Sequence, residues 1–450
     1  MRKHKLDLLV VLLLLLLPLI FFWPVTLGGK TLLPVDNLFT FEPWASFASE
    51  WGVSIPHNEL LSDLILENYV WKRFIVQAIH NRQIPLWNPY LFAGLPFLAA
   101  GQHSALYPLS ILFYILPLAR AYGYFTVLQF FLAGLFTFIY CRVIGVNRFG
   151  ALIAGITYML SAFFVVSVVF TMIITAAAWL PLLLTMIEIV VRKQEEKGPV
   201  AYSPIPYIAV GAVALGFQLL AGHVEISLYV LLVMGFYALC RLAILWWRQR
   251  NWPVVFRLAF WLVVMVALGL GLGAVQFIPL YEAARLNFRQ GSVPYSQVVS
   301  WAFPPRRLIA FLVPDFFGNP SHHSYLDVFT WRTVQLALNA YGQLNPNGPH
   351  STNWGVKNYV EGGSYLGLLP LLLVAIAAIS RLRRDSTLRS HVWLYIILIA
   401  FSLAFIFGTP LYAILYSAFP GVNQLHSPFR WVFPYTFSVA VLAGIGADHL

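Results

Sequence analysis

Residues 1–23 read MRKHKLDLLVVLLLLLLPLIFFW, a basic head followed by a long apolar run that ends at Trp23. A run of about 20 apolar residues is long enough to cross the hydrocarbon core of a bilayer as a helix. No small-x-small cleavage site follows, so the stretch is predicted to be an uncleaved first span and not a signal peptide. Because basic residues collect on the cytoplasmic side, the N-terminus is predicted to be cytoplasmic.

The composition of the whole chain agrees with this start. Of its 450 residues 60% are hydrophobic, 16% are aromatic and only 10% are charged. A soluble globular domain has roughly half apolar and a quarter charged residues, so a water-soluble enzyme, a disordered protein and a fibrous protein are excluded. The predicted fold class is an all-α polytopic membrane protein with about ten transmembrane helices, the number that this length allows.

The placement of charge predicts the topology. Sixteen of the 28 Lys and Arg lie in five short segments, and 13 of the 17 acids lie in the segments between them. The basic segments are Arg2–Lys5, Arg142–Arg148, Arg192–Lys197, Arg241–Arg257 and Arg381–Arg389. This alternation is the positive-inside pattern of an inner or plasma membrane protein. A nucleic-acid partner is not expected, because a phosphate-binding groove would gather its basic residues on one face.

We therefore expect one transmembrane domain over residues 1–450. It divides into a first span (1–27), a first outer loop (28–104), spans two to seven (119–280), a large outer loop (281–362) and the last spans (363–450). The ten predicted spans are 1–23, 119–141, 149–169, 171–191, 205–221, 224–246, 256–280, 363–380, 391–408 and 431–450.

Two short apolar runs are left out of this count. Residues 105–118 are too few to cross, and counting them would place Arg142–Arg148 outside, so we expect a half-helix or a surface helix there. Residues 410–419 are predicted to be re-entrant or interfacial. In the first outer loop, the helical spacing of apolar residues over 57–79 predicts an amphipathic helix on the outer surface. The apolar run that ends at Leu450 has no basic tail, and we expect a fragment of a longer protein.

Polar residues that could perform chemistry lie in the predicted outer segments. Asp36 follows the first span. At this position it is either a solvated loop residue or a general base at the lipid boundary. Asp63 and Glu67 are four residues apart on one helix face, which suits a polar face or a second acid in the same cavity. Gln218, His223 and Glu225 lie in the tight turn between spans five and six, where they either cap helix ends or form a functional group.

The later outer segments add further candidates. Glu361 precedes a span, and His426 and Arg430 lie at the mouth of the last span. An outer arginine fits the oxygens of a phosphate or diphosphate, or it holds the span at the interface. The run His322, His323 and Asp327 can be drawn as half a metal site, but its spacing matches no standard pattern. No cofactor is predicted, with a divalent metal as the open alternative.

Several long motifs resemble one family. The run SDLILENYVWKRFIVQAIHNRQIPLWNPYLFAGLPFLAAGQHSALYPLSIL, residues 62–112, resembles the first outer loop of bacterial YfhO-like membrane proteins, with Gln83 where the family often has Gly. Further similar stretches follow in order: LLAGHVEISLY, RRLIAFLVPDFFGNP, VEGGSYLGLLPLLL and LHSPFRWVFPYTFSVAVLAGIG. Together they extend over most of the chain.

The resemblance implies a GT-C type membrane glycosyltransferase. Such an enzyme moves a sugar from a polyprenyl-phosphate donor to a cell-envelope polymer or glycolipid acceptor on the outer face of the membrane. Since GT-C enzymes usually place an essential acid in the first outer loop, that role falls on Asp36, with Asp63 as the second acid. The alternatives are a transporter or flippase of a lipid-linked saccharide, and a non-catalytic scaffold for envelope assembly.

The predicted substrate-binding residues come from the outer segments and the motifs. They are Trp87, Asn88, Gln102, His103, His223, Glu225, Glu361, His426 and Arg430.

Overall fold

The computed structural model of the chain describes residues 2–53, 61–197, 202–286, 293–318, 324–327, 330–335, 362–383, 388–419, 421–424 and 428–450. These residues form a helical bundle with short strands in the connections. The longer helices are α1 (Arg2–Phe21), α5 (Leu118–Ile144), α6 (Arg148–Met159), α9 (Leu180–Lys197), α10 (Ile205–Leu220), α11 (Val224–Gln249), α12 (Trp252–Ala284), α14 (Leu368–Arg383), α15 (Arg389–Ile406) and α17 (Val432–His449). The shorter helices are α2 (Trp23–Thr26), α3 (Tyr69–His80), α4 (Ile111–Ile115), α7 (Ala162–Val166), α8 (Thr171–Ala178), α13 (Tyr295–Ser300) and α16 (Leu411–Ala418).

The helices lie where the apolar runs predict spans. Within the described part of the chain, seven helical segments are long and apolar enough to cross a membrane. They are Leu118–Ile144, Arg148–Val169, Thr171–Lys197, Val224–Gln249, Trp252–Ala284, Arg389–Ile406 and Pro428–His449. Helices α10 and α14 are shorter and apolar, and α1 has 20 residues. The all-α membrane fold is confirmed, and the count of ten spans stays a prediction.

The short apolar runs form short helices. The 105–118 run contains a 3₁₀ turn Pro108–Ser110 and then α4, and the 410–419 run contains α16. In the first outer loop, the described part of the predicted 57–79 helix has a π-helical turn Leu64–Asn68 that continues into α3. One charged residue of this helix, Lys72, is fully buried. The reason is that α3 packs against α4 and α5 as well as facing outward.

Helix α17 is the central element of the bundle. It packs against α6, α14 and α15, and nearly all of its residues are buried. Glycine makes this possible, since a Cβ atom on Gly444 would lie 2.7 Å from the carbonyl oxygen of Gly150 on α6. Small residues at such contacts let helix backbones approach closely, as they do between helices in membranes.

The predicted topology states which helix ends lie on the same side of the membrane, and the structure shows which ends lie together. At one end of the bundle Asp7 of α1 forms an ion pair with Arg148 at the start of α6, with a distance of 2.6 Å. The main-chain N–H of Asn147 donates to Asp448 of α17 at the same end, with an N···O distance of 2.7 Å. The topology predicted from charge places these residues on one side. Which side of a membrane this end faces stays a prediction.

Two small hairpins lie in the connections. Strands β1 (Trp87–Asn88) and β2 (Leu95–Pro96) pair antiparallel in the first outer loop. Strands β3 (Ser324–Asp327) and β4 (Arg332–Gln335) pair antiparallel in the large outer loop.

Candidate functional site

A cavity of about 610 Å³ lies where the first outer loop meets the turn between α10 and α11. We call it the outer cavity. Its polar lining includes Gln102, His223, Glu225 and Arg430, all of which were predicted as substrate-binding residues. The full lining is Ala100, Gln102, Gly222, His223, Val224, Glu225, Ser227, Leu228, Leu231, Leu270, Phe277, Leu280, Gly421, Gln424 and Arg430.

Hydrogen bonds from side chains to main-chain carbonyl oxygens hold the first outer loop against the bundle beside this cavity. The Ser104 hydroxyl donates to the carbonyl oxygen of Ala221, with an O···O distance of 2.7 Å, and the Gln276 amide donates to the carbonyl oxygen of Leu98 at 2.6 Å. Gly101 and Gly222 both have positive φ, and a Cβ on Gly222 would lie 2.0 Å from the carbonyl oxygen of Gly101. These contacts fix the position of Gln102 at the cavity wall.

Glu225 and Arg430 form an ion pair at the cavity although they are 205 residues apart in sequence. Each side chain is 14% exposed. The other oxygen of Glu225 accepts a hydrogen bond from the hydroxyl of Tyr229, one helical turn along α11, at 3.1 Å. The arginine that was predicted as a phosphate clamp is therefore at a cavity, with a carboxylate already beside it.

His223 is buried at the start of α11 and caps the helix. Its Nδ1 accepts a hydrogen bond from the main-chain N–H of Ile226, with an N···N distance of 3.2 Å. Burial, together with the positive charge of Arg430, lowers the pKa of His223 to about 3. The ring is therefore neutral at physiological pH. His223 both caps the helix, as predicted, and lines the cavity.

His103 has a different environment from its neighbour Gln102. The ring is fully buried, is stacked on Phe97 and bonds through Nε2 to the carbonyl oxygen of Phe97 at 2.9 Å. Its Nδ1 accepts a hydrogen bond from the N–H of Ala105. Burial, followed by the charge of Lys72, lowers the pKa of His103 to about 4. Both ring nitrogens are used inside the loop, so this ring supports the loop, and its role as a substrate ligand stays a prediction.

Lys72 lies beside His103 in the interior of the loop. Its Nζ donates to the carbonyl oxygen of His103 at 2.6 Å and lies 4.4 Å from the centre of the Phe113 ring. Burial lowers the pKa of Lys72 to about 7. The sequence analysis missed this residue, because charge alternating with apolar residues in a helix is normally solvent-exposed.

Trp87 and Asn88 occupy the first hairpin. Trp87 is half exposed, and its indole fills the space in front of Gly94, where a Cβ atom would clash with the ring. Asn88 is buried, and its side chain accepts a hydrogen bond from the N–H of Tyr90 at 3.0 Å. Asn88 therefore stabilises the turn.

The predicted catalytic acids lie in a second patch of the outer loop. Asp36 is half-buried in a 3₁₀ turn, Val35–Thr40, that packs against the π-helical turn following Asp63. Asp63 and Glu67 are exposed, and partial burial and then the charge of Asp63 raise the pKa of Glu67. Neither Asp36 nor Asp63 is among the residues that line the outer cavity. The structure thus brings four predicted binding residues together and leaves the two acids outside that group.

Some predicted residues lie outside the described part of the chain. These are Glu361 and His426, together with His322 and His323 of the possible metal half-site. Among the residues that the structure describes, no group of three His, Cys, Asp or Glu side chains is arranged to hold a metal ion.

An apolar groove of about 430 Å³ lies between α11 and α12 and shares Leu231 with the outer cavity. Its wall contains only apolar side chains and one glycine: Ile187, Leu231, Met234, Gly235, Ala238, Leu239, Leu242, Ala259, Leu262, Val263, Met265 and Val266. A polar cavity and an apolar groove therefore meet at Leu231, which is the arrangement that an amphipathic ligand requires.

A charged cluster at the opposite end of the bundle was also missed by the sequence analysis. Arg241 of α11 forms a buried bidentate ion pair with Glu188 of α9, with distances of 2.7 and 3.1 Å. A signal was present, since both residues lie inside predicted spans, where ionisable side chains are costly and uncommon. The positive-inside pattern counts Arg241 with the basic segment Arg241–Arg257, and Glu188 is not among the predicted site residues.

Comparisons with known proteins give fold-level likenesses only. No protein-family description and no curated protein matches the sequence. The archaeal oligosaccharyltransferase AglB from Archaeoglobus fulgidus, in complex with an inhibitory peptide and a dolichol-phosphate, is 14% identical with a TM-score of 0.44, over 99% of this chain and 50% of that one. The apo oligosaccharyltransferase of the same organism is 13% identical with a TM-score of 0.41, over 98% of this chain and 50% of that one.

A third similar structure is ArnT from Cupriavidus metallidurans in the apo state. It is 14% identical with a TM-score of 0.33, over 85% of this chain and 73% of that one. The chain spans about half the length of the two oligosaccharyltransferases. These TM-scores are too low to decide function, and the resemblance to YfhO-like proteins rests on the sequence motifs alone.

Proposed function

We propose that the protein is a membrane glycosyltransferase that moves a sugar from a polyprenyl-phosphate donor to a cell-envelope acceptor on the outer face of the membrane. The observation that carries this proposal is the outer cavity, where Gln102, His223, Glu225 and Arg430 line one space of about 610 Å³. Residues from three distant parts of the chain meet there, and all were selected from sequence as substrate-binding residues.

The charge distribution of the cavity suits a phosphate-linked sugar. The guanidinium of Arg430 matches phosphate oxygens in geometry and charge, and it is held at the cavity by Glu225. We assign to Arg430 the stabilisation of the departing polyprenyl phosphate, whose negative charge grows as the glycosidic bond breaks. Gln102 and the neutral ring of His223 supply hydrogen-bonding groups for sugar hydroxyls.

The apolar groove supports a lipid-linked donor. A polyprenyl chain needs a continuous apolar surface, and the groove between α11 and α12 provides one that begins at Leu231 of the cavity. The head of the donor would occupy the cavity and its first isoprene units the groove. Burial of each methylene group contributes about 0.8 kcal/mol to such binding.

Asp36 is proposed as the base that accepts the proton of the acceptor hydroxyl, with Asp63 as the second acid. These roles come from the resemblance, and the contact between their two turns supports a common acidic patch. Glu225 is the competing base, because it lines the cavity itself. Its carboxylate oxygens already accept from Arg430 and from the Tyr229 hydroxyl, which leaves them less available to a substrate proton.

The test is a donor-turnover assay on the full chain in nanodiscs. Radiolabelled polyprenyl-phosphate hexoses are supplied, and the release of free polyprenyl phosphate is measured for the wild type, Asp36→Asn and Glu225→Gln. Glu42→Gln is the matched control, since Glu42 is an exposed acid of the same loop. We expect release by the wild type and by Glu42→Gln, and a loss of at least 100-fold in Asp36→Asn.

Other outcomes select the alternatives. Full activity in Asp36→Asn with loss in Glu225→Gln would move the base to the cavity. If no donor is consumed in nanodiscs, but lipid-linked saccharide crosses the membrane of vesicles into which the protein is reconstituted, the protein is a transporter or flippase. If neither occurs and alanine at Asp36 and Asp63 has no effect in cells, the scaffold alternative stands. Activity measured with and without EDTA tests the dependence on a divalent metal.

A further inference from the structure

A second cavity, of about 270 Å³, lies at the end of the bundle opposite the outer cavity. We call it the inner cavity, because the positive-inside pattern places this end in the cytoplasm. Helices α9, α11 and α15 enclose it, and its charged lining comprises three arginines, three glutamates and a histidine. The full lining is Ile144, Glu188, Arg192, Glu195, Glu196, Arg241, Arg248, Ser390 and His391.

The floor of the inner cavity is a self-contained ion-pair network. Arg241 makes two hydrogen bonds to Glu188 and a third to Glu195, at 2.7, 3.1 and 3.1 Å. Tyr237 donates to the same Glu188 carboxylate at 2.7 Å. The side chains of Arg241 and Glu188 are 3% and 1% exposed, so the pairing offsets a large desolvation cost. These groups have few hydrogen-bonding positions left for a ligand.

Other groups in the same cavity have unused hydrogen-bonding capacity. His391 is 5% exposed; its Nε2 lies 3.4 Å from Oε1 of Glu188, and its Nδ1 has no hydrogen-bond partner among the described residues. The Oε1 atom of Glu195 is likewise buried without a hydrogen bond, 3.7 Å from a guanidinium nitrogen of Arg248. A buried polar atom left without a partner costs about 1–3 kcal/mol, so both positions favour a bound group.

The mouth of the inner cavity is cationic on two sides. Arg192 and Arg248 are 40% and 57% exposed and come from α9 and α11. Arg192 pairs with the mostly exposed Glu196 at 3.3 Å and donates to the carbonyl oxygen of Val143, and Arg248 lies 3.7 Å from Oε1 of Glu195. A ligand at the mouth therefore meets two guanidinium groups and, beside that of Arg248, an acceptor oxygen that has no hydrogen bond.

We propose that the inner cavity binds a zwitterionic headgroup that carries a phosphate and a primary ammonium, the chemistry of phosphoethanolamine. The phosphate lies between Arg192 and Arg248 and accepts from His391, and the ammonium donates to Oε1 of Glu195. A pure anion fits less well, because the three arginines are balanced by three glutamates. The volume equals that of about nine water molecules at roughly 30 Å³ each, enough for such a headgroup.

The headgroup can come from either of two sources. One is phosphatidylethanolamine of the leaflet that surrounds this end of the bundle, as basic pockets between membrane helices commonly bind lipid headgroups. The other is a soluble phosphoethanolamine ester. The site is separate from the outer cavity, and this inference does not depend on the proposed glycosyl transfer.

The experiment measures binding to the delipidated full chain in detergent. Phosphatidylethanolamine, phosphatidylcholine and phosphatidylglycerol are titrated separately, and binding is followed by native mass spectrometry and by the thermal midpoint. Phosphatidylcholine is the discriminating probe, because its quaternary ammonium has no N–H to donate to Glu195. We expect phosphatidylethanolamine to bind at least 10-fold more tightly than either of the other lipids.

Variants separate the two halves of the site. Glu195→Gln should remove the preference for phosphatidylethanolamine over phosphatidylcholine, and Arg248→Gln should weaken the binding of both lipids about 10-fold. Arg248 is half exposed, so its replacement should leave folding intact. Arg250→Gln is the matched control, because Arg250 lies at the same helix end and stacks on Trp246 outside the cavity.

Each outcome bears on the proposal. If soluble phosphoethanolamine competes with phosphatidylethanolamine, the headgroup alone is enough for binding. If the lipid binds and soluble phosphoethanolamine does not compete with it, the lipid is the source of the headgroup. Equal binding of phosphatidylethanolamine and phosphatidylcholine, or a preference for phosphatidylglycerol, would overturn the proposal. So would an unchanged preference in Glu195→Gln.

Discussion

The ammonium group of Lys72 donates a hydrogen bond of 2.6 Å to the main-chain carbonyl oxygen of His103, and the next residue back, Gln102, lines the outer cavity. A helix of the first outer loop thus supports the cavity wall from behind. The lysine is fully buried, with an aromatic ring on one side. The position of Gln102 therefore depends on a titratable group that does not itself line the cavity.

This arrangement predicts that stability depends on pH. Burial lowers the pKa of Lys72 to about 7 from an ordinary value of 10.5, so between these values the unfolded chain binds more protons than the folded one. Stability should rise with pH in this window, by at most about 1.4 kcal/mol per pH unit. Thermal midpoints in detergent at pH 7 and 9 measure the effect. Lys72→Met, which keeps the apolar stem, should remove most of the rise; an unchanged pH profile would contradict the assignment to Lys72.

The close contact between Gly101 and Gly222 predicts that a side chain at position 222 causes a steric clash. In Gly222→Ala the new Cβ would lie 2.0 Å from the carbonyl oxygen of Gly101, and φ is +88°. We expect a destabilisation of about 2–4 kcal/mol or a displaced outer loop, and a loss of activity either way. Gly271→Ala on α12 is the control, because nothing lies within 4 Å of its Cβ position. Thermal unfolding of both variants should show a drop for Gly222→Ala alone.

The Glu225–Arg430 pair allows structural and functional roles to be separated. Arg430→Gln leaves a mostly buried carboxylate without its cation and should cost about 2–4 kcal/mol. The double variant Glu225→Gln, Arg430→Gln should recover most of that stability, since no charge is left unpaired. Donor turnover should stay low in the double variant if Arg430 binds the leaving phosphate. Recovery of turnover together with stability would make the pair purely structural.

The position of Leu231 in the linings of both the outer cavity and the apolar groove predicts chain-length selectivity. Leu231→Trp narrows the point where the two meet, so KM for long-chain polyprenyl-phosphate donors should rise at least 10-fold. Water-soluble donors with one or two isoprene units should be affected little. Leu268→Trp serves as the control, since Leu268 is half exposed on α12 and lines neither space. An equal change in KM for both donor lengths would argue against a lipid chain in the groove.

Apolar runs and charge placement were enough to locate the helices. The spacing and the length of apolar segments are local properties of the sequence. Helices α5, α11 and α15 accordingly begin and end within a few residues of the predicted spans. Outer-cavity residues could also be selected from sequence, because His223 and Glu225 are polar residues at a tight turn between two apolar runs. Their partner Arg430 could be placed on the same side of the membrane, but not beside them.

Contacts between distant segments could not be predicted. Lys72 appeared to belong to a polar helix face, and only the packing of α3 on α4 and α5 buries it. Asp36 and Asp63 were predicted as two acids of one site, and their turns do pack together, but neither acid is among the residues that line the outer cavity. The Glu188–Arg241 pair joins residues 53 positions apart, a separation that carries no periodic signal.

The central position of α17 has a consequence for biogenesis. Helix α17 packs against α6, which is synthesised early, and against α14 and α15, which are synthesised much later. Until α17 leaves the translocon, the backbone surface around Gly150 of α6 and the facing sides of α14 and α15 lack a packing partner. Insertion of α17 should therefore be the step that locks the bundle, and nascent chains stalled before residue 432 should be cleared by membrane proteases much faster than chains that contain it.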